Sequence, residues 1–402
     1  MINEKMYCLG SQRSEIRELF EYAKRRKAEI GEENVYDFSL GNPSVPCPKE
    51  VNSAMASLLD SENPVALHGY TSAEGDLNAR MAIAEYLTKL HGLTVSASDL
   101  YLTAGAAAAL AATLTALVTP GEEVIILAPY FPEYRVFIER CGGVVKEVGC
   151  EQTSFMPDVA AIADAISEKT AAIIINSPNN PTGAVYSADV IRELSEMLRR
   201  KSSEYGHSIY LIADEPYREL VYDGIDVPFI PCYYEDTVVC YSYSKSLSLA
   251  GERIGYVLVS PGANESRRVY SAVCGAGRAL GYVCAPSLLQ KILPYCTGKT
   301  SDINVYIENR QLLFTNLKKY GFDVLRPDGA FYLFVKSPVD NAHTFSEMAK
   351  RREIIIVPSD SFGIRGYVRI SYCVSTEMIK KALDAFAALA RDVGLKGDNT
   401  NG

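Results

Sequence analysis

The 402 residues carry 49 acidic and 40 basic side chains, a formal net charge of −9, and are 48% hydrophobic and 22% charged. This is ordinary globular usage with enough apolar residues for a large core, over a length that suits two or three structural units. An acidic chain without a basic block argues against nucleic acid or an anionic membrane as partner. Ten scattered cysteines, none in a C-x-x-C pair, and four isolated histidines argue against a disulfide framework or a metal site. They suit a reducing cytoplasm. The polar start, Met1–Ser14, has no apolar signal-type run, and the longest apolar stretch, Ala104–Val118, is broken by Thr113 and Thr115. It falls short of the roughly 20 residues of a bilayer span, so no membrane insertion is expected.

In chain order, β-branched runs predict strands at Val124–Leu127, Val144–Val148, Ala171–Ile175, Ser208–Ala213, Thr237–Tyr241 and Ile254–Val259. Helices are expected between several of them, at Pro132–Cys141, Pro157–Ser167 and Ala188–Ser203. Apolar runs alternating with helices read as an α/β fold, a mainly parallel sheet covered on both faces. Beyond Ala285 the texture changes. Helices at Ser287–Tyr295 and Ser301–Tyr320 precede short strands at Phe322–Leu325, Gly329–Val335, Ile354–Val357 and Tyr367–Ser371. A last helix, Thr376–Val393, has its apolar stripe at Ile379, Leu383, Phe386 and Leu389. The expected division is a large domain over residues 46–285, with residues 1–45 and 286–402 forming an N-terminal arm and a smaller α+β domain. The polar tail from Gly397 is expected to fray.

Five segments carry chemistry, each expected at the end of a strand. Thr103-Ala104-Gly105-Ala106-Ala107 opens a helix on a glycine, which exposes N–H groups and the positive dipole end to an anion. Alone, that pattern equally suits a helix packed closely on a sheet. Tyr130-Phe131 sets aromatics at the ligand-binding edge of such a sheet, where core packing is the plainer reading. Asn176-Ser177-Pro178-Asn179-Asn180-Pro181-Thr182-Gly183 is richer in Asn and Pro than a chain reversal needs. Asp214 closes a strand in Asp214-Glu215-Pro216-Tyr217, where a carboxylate needs a cation or a strong donor. Lys245 lies in the hydroxyl-rich Tyr241-Ser242-Tyr243-Ser244-Lys245-Ser246, with Gly251-Glu252-Arg253 following.

This ordered set resembles the class I/II aminotransferases, pyridoxal 5'-phosphate (PLP) enzymes of the aspartate aminotransferase fold (fold type I). The likeness extends from Ser39-Leu40-Gly41-Asn42-Pro43 to Tyr367-Val368-Arg369-Ile370-Ser371. It implies a large domain with a seven-stranded, mainly parallel sheet. Lys245 would carry the cofactor and then shuttle the substrate's α-proton, and Asp214 would face the pyridine nitrogen. Asn180 and Tyr217 would bond the ring's phenolic oxygen, and Phe131, with Tyr130 as second choice, would stack on the ring. Gly105, Ala106, Ala107, Ser242 and Arg253 would cup the phosphate. The alanines depart from the polar residue many relatives have after the glycine, which leaves more to backbone N–H groups. Tyr70 would reach the phosphate of a neighbouring subunit, which implies a homodimer with shared sites. Arg369 would grip the substrate α-carboxylate, with Gly41 and Asn176 beside it.

The resemblance implies a ping-pong exchange of an amino group between an L-amino acid and a 2-oxo acid. Arg278 matches the spacing of an arginine that binds a distal carboxylate across the dimer in dicarboxylate-specific relatives, which would favour aspartate and glutamate; an ordinary interface arginine fits the same spacing. Tyr332 stands where relatives place a pocket wall, which keeps aromatic substrates open. The same residues serve β-elimination in related lyases of the C-S lyase type, because the bond held perpendicular to the ring decides the outcome. A non-catalytic PLP-binding regulator would need a basic helix-turn-helix segment ahead of Gly41, where this chain has a short arm and helix.

Overall fold

A computed structural model describes residues 2–11 and 14–397; the tail expected to fray lies, beyond Gly397, outside them. Seven strands form one sheet: β1 (Leu100–Thr103), β2 (Glu123–Ala128), β3 (Val144–Gly149), β4 (Thr170–Asn176), β5 (Tyr210–Asp214), β6 (Thr237–Ser242) and β7 (Gly255–Val259). Their spatial order is β1-β7-β6-β5-β4-β2-β3. Only β7 runs against its neighbours; β3, β2, β4, β5 and β6 pair parallel in turn. The mainly parallel sheet is therefore as expected. Alternate side chains of each strand feed two separate cores. Val124, Ile126, Ala172 and Ile174 pack under the helices Ala106–Leu117 and Ser266–Ala279. Ile125, Leu127, Ile173 and Ile175 pack under Leu77–His91, Ala188–Tyr205 and Ser287–Cys296. Burial of both faces is why these strands read as unbroken apolar runs.

Beyond the sheet, the strand Tyr332–Lys336 pairs antiparallel with Tyr367–Ser371, which also pairs with Val357–Pro358. Ile354–Ile355 instead pairs parallel with Tyr36–Asp37. The single strand expected over Ile354–Val357 thus splits at Ile356 between two sheets. That split ties the N-terminal segment to the C-terminal part, with Phe38 N donating to Ile355 O at 2.9 Å. The expected strand Phe322–Leu325 is not formed. Only Val324 makes a bridge, to Val335, because the chain turns away through Pro327 to a second bridge at Gly329–Val221. The strand expected from Gly329 starts at Tyr332, since Ala330 is held at φ 56°, outside the extended region. The helices Asn304–Lys319 and Thr376–Asp392 cover this part, where Leu313, Leu317, Ile379, Phe386 and Leu389 are buried and Leu383 partly so. Each such fully buried side chain contributes about 1.5–3 kcal/mol. Among the described residues no helix is long and apolar enough to cross a membrane.

Candidate active site

Asn176, Asp214 and Ser242 are the last residues of β4, β5 and β6, and Gly105 follows the end of β1. Arg253 stands just before β7, which runs the other way, so its start lies at the same edge. A cavity of about 340 Å³ lies there, lined by Gly41, Ala106, Ala107, Phe131, Asn176, Asn180, Asp214, Tyr217, Ser242, Lys245, Arg253 and Arg369. Strand ends converging on one crevice are where open α/β sheets bind ligands.

Asp214 is fully buried, and burial raises its pKa from 3.8 to about 7, against a donation from Tyr134 that lowers it. Tyr134 Oη donates to Oδ2 at 2.5 Å. The other oxygen, Oδ1, is buried and has no hydrogen-bond partner among the described residues. An unpartnered buried carboxylate oxygen is costly, and a charged N–H donor would satisfy it. Lys245 Nζ donates to Gly41 O at 2.6 Å. Burial pushes this amine down to about 8, with the charges of Arg253 and Arg369 adding to the shift and Cys373 opposing it.

Gly105, at φ 83°, precedes the helix Ala106–Leu117 and offers no side-chain cap. The first helical N–H groups therefore remain free to meet an anion, and the helix dipole favours negative charge there. A Cβ on Gly105 would lie 2.6 Å from Arg253 Nη2, so only glycine lets this guanidinium approach the turn. Arg253 Nη1 donates to Ser244 Oγ at 3.1 Å, and Ser244 Oγ lies 2.8 Å from Ser242 Oγ. Free N–H groups, two hydroxyls and a guanidinium make a cup for a dianion.

Arg369 Nη1 donates to Asn180 Oδ1 at 3.0 Å and Nη2 to Ser39 O at 2.6 Å, while Nε is buried without a partner among the described residues. Its guanidinium lies 4.7 Å from the Tyr332 ring centroid and 5.2 Å from that of Phe362. Asn180 is held in place because its own N–H donates to Asn176 Oδ1 at 2.7 Å. Asn179 instead closes the turn, accepting from Thr182 N at 3.1 Å. Tyr217 and Tyr332 share a hydroxyl contact at 2.8 Å. Burial raises the Tyr217 phenol well above its usual range, and that of Tyr332 to about 12.

Gly105 stands just behind the cavity lining, against Arg253, and three further expectations fall outside it. Tyr130 is buried against the turn Asp360–Gly363, its N–H donating to Phe362 O at 3.0 Å, so of the two aromatics only Phe131 lines the site. Tyr70 is 90% exposed, and Arg278 is also exposed, near the end of the helix Ser266–Ala279. Neither lines the cavity of this chain. Sequence reasoning passed over Tyr134, Ser244, Ile16 and Leu40. Tyr134 sits three residues after Phe131 and Ser244 directly before Lys245, spacings that could have flagged them. Ile16 and Leu40 give no chemical signal; they line the cavity as apolar residues from the N-terminal helix Glu15–Ile30 and the stretch after it.

Residues 33–386 match the family Aminotransferase class I and II. The chain is 31% identical to a probable aspartate/prephenate aminotransferase of Thermus aquaticus, over 87% of this chain and 90% of that one. It is 28% identical to aromatic-amino-acid aminotransferase 2 of Thermococcus litoralis, over 94% and 96%. The crystal structure of an amino transferase from Eubacterium rectale superposes with a TM-score of 0.96 at 54% identity, over 98% of this chain and 99% of that one.

Proposed function

The chain belongs to the class I and II aminotransferases, and from that membership we propose that it is a PLP-dependent enzyme moving an amino group between an L-amino acid and a 2-oxo acid in two half reactions. One observation carries this reading. A single cavity joins a buried carboxylate with an unpartnered oxygen, a buried amine of lowered pKa and a guanidinium with a free N–H. These residues fit the cofactor. Asp214 Oδ1 lacks the charged donor that a pyridinium would supply, and the Gly105 turn with Ser242, Ser244 and Arg253 suits its phosphate.

Bound PLP withdraws electrons from the substrate's α-carbon and so acidifies the α-proton. Asp214 would hold the ring nitrogen, Phe131 a ring face, and Asn180 with Tyr217 the phenolic oxygen. Lys245 Nζ, its basicity trimmed by burial, would carry the cofactor, then accept the α-proton and pass it to the cofactor's C4′ carbon. Arg369 would orient the α-carboxylate, with Gly41 and Asn176 closing that corner. The three cations of the lining, Lys245, Arg253 and Arg369, are then all engaged. A dicarboxylic substrate would need a further cation, and Arg278 of a second copy would supply it, as Tyr70 would supply a hydroxyl to the phosphate cup. We therefore infer a cytoplasmic homodimer with aspartate or glutamate as donor.

Borohydride reduction of the PLP-loaded protein, followed by peptide mass mapping, tests the cofactor assignment. The mass should appear on Lys245, and Lys245→Ala should retain PLP noncovalently yet not turn over. Label on another lysine, or turnover by the variant, would overturn the assignment. Arg278→Ala should lower kcat/KM for aspartate and glutamate about 100-fold while sparing phenylalanine, since one lost charged pair is worth about 3 kcal/mol. An equal loss for both donors removes the dicarboxylate reading. Release of ammonia and pyruvate from a donor with a leaving group on its β-carbon, with no 2-oxo acid acceptor added, would mark a lyase instead.

A further inference from the structure

The helix Glu15–Ile30 presents two consecutive side chains to different neighbours. Ile16 lines the cavity, while Glu15 turns to the helix Ala342–Lys350, where its Oε1 meets His343 Nδ1 at 3.0 Å. The other imidazole nitrogen, Nε2, lies 3.4 Å from Asp360 Oδ2. Asp360 opens the turn whose Phe362 packs on the Arg369 guanidinium and whose backbone accepts from Tyr130, next to Phe131. One imidazole thus joins the helix that carries Ile16 to the turn that backs Arg369.

The first turn of this helix is held less firmly than the turns after it. Its N-cap, Ser14, makes no side-chain cap bond, and its one apolar contact is the partly buried Ile16, whereas the buried anchors, Leu19 and Ala23 against Ile355, Val357 and Phe362, begin one turn later. We propose that His343 is a positioning residue for the substrate cavity: by bridging Glu15 and Asp360 it fixes the first turn of the Glu15–Ile30 helix and so sets Ile16 as the cavity's apolar wall. This inference rests on reading the cavity as the substrate site.

The bridge depends on protonation. The imidazolium has an N–H for each carboxylate, whereas neutral imidazole can donate from only one nitrogen. The facing groups are Glu15, Glu18 and Arg25 on the N-terminal helix, with Tyr22 between them, and Glu347 and Lys350 on the helix of His343 itself. Asp360 faces it from the turn, with Arg365 Nε 3.8 Å from Asp360. Lys350 is engaged by Glu347 and by the Tyr22 ring. Carboxylates therefore dominate around the imidazole. Burial raises the pKa of Glu15, the His343 charge opposing this, so the bridge fails at the acid end when Glu15 protonates.

His343→Gln keeps one donor and removes the charge. In the PLP-loaded enzyme it should raise KM for the amino donor about two- to fivefold, the range a half-exposed ion pair can supply, with kcat and PLP affinity unchanged. In an Ile16→Ala background His343→Gln should add nothing further, as expected of two changes acting through one contact. Independently of turnover, hydrogen exchange of the amides of residues 15–20 should speed up in His343→Gln while that of Ala106–Leu117 does not. Unchanged exchange over residues 15–20, or KM effects that add in the double variant, would overturn the proposal. A wild-type protein without transaminase activity would sink the proposed function and leave the exchange measurement to decide the role of His343.

Discussion

Tyr134 and Asp214 share a 2.5 Å hydrogen bond in which the phenol donates to Oδ2, and among the described residues this is the only side-chain partner the carboxylate has. Both groups are fully buried. The phenol is locked as a donor, because burial and the neighbouring carboxylate keep its pKa well above the usual value. It therefore stabilises the charged form of Asp214 and steers Oδ1 to remain the free acceptor. Tyr134→Phe removes that donor without changing the ring's volume. Losing one donor to a buried carboxylate costs about 1–3 kcal/mol. The variant should accordingly bind PLP roughly 10- to 100-fold more weakly, as read by titration of the apoprotein. An unchanged affinity would mean that Tyr134 only fills space.

The pKa of Asp214 also predicts a slope in stability. Folded Asp214 holds its proton up to about 7, while the unfolded carboxyl releases it near 3.8. Between those values the folded state binds more protons than the unfolded state, so stability falls as pH rises and levels off above about 7. The contribution is on the order of 4 kcal/mol at most. Glu215 and Glu219, also buried with raised pKa values, add to the same slope. Urea denaturation of the PLP-free protein across this range should show the decline, and Asp214→Asn should flatten part of it. Stability rising with pH over the same interval would contradict the burial of this carboxyl.

Arg369 uses two of its nitrogens on Asn180 and Ser39, and its Nε has no partner among the described residues. A group so held is oriented before any ligand arrives, which limits the ordering cost of binding. Arg369→Gln should raise KM for every amino donor about 50-fold or more, matching the loss of a charge-assisted pair, with a smaller effect on kcat. If kcat fell and KM did not, the guanidinium would be acting on the transition state rather than on the α-carboxylate.

Much of the site is legible because Phe131, Asn176, Asp214, Ser242 and Lys245 close or follow apolar runs that had to be strands, whereas Arg253 precedes its strand and Arg369 lies within one. Asn176, Asp214 and Ser242 end such runs, and parallel strands bring their C-terminal ends to one edge. What was hidden depends on packing. β1 is only four residues long, too short an apolar run to give bounds, so the sequence marks only its end at the Gly105 turn. The apolar run Phe322–Leu325 looked like a strand, but it finds a partner only at Val324. In the Asn loop, composition could not say which amide faces the cavity. The bond from Thr182 commits Asn179 to the turn and leaves Asn180 to Arg369. Tyr134 carries only a spacing signal, three residues after Phe131; a helical tyrosine is usually core, and only the three-dimensional approach to Asp214 gives it chemistry.

Gly105 separates a backbone requirement from a binding requirement. At φ 83° and ψ 178° Gly105 lies where essentially only glycine is at ease, so an alanine is strained by about 1–3 kcal/mol, and its Cβ would also push Arg253 Nη2 from 2.6 Å. Gly92, the C-terminal residue after the helix Leu77–His91, is left-handed at φ 71° and ψ 1°, and an added methyl there would meet nothing within 4 Å. Both substitutions should therefore lose stability, Gly92→Ala by about 1 kcal/mol and Gly105→Ala by at least as much, read as a lower denaturation midpoint. Only Gly105→Ala should also weaken PLP binding, by about tenfold, because it displaces the guanidinium from the phosphate cup. Inorganic phosphate protection against denaturation should follow the same order. Equal PLP affinities in the two variants would mean that Arg253 can reach its place around an added methyl, and that the glycine answers to the turn alone.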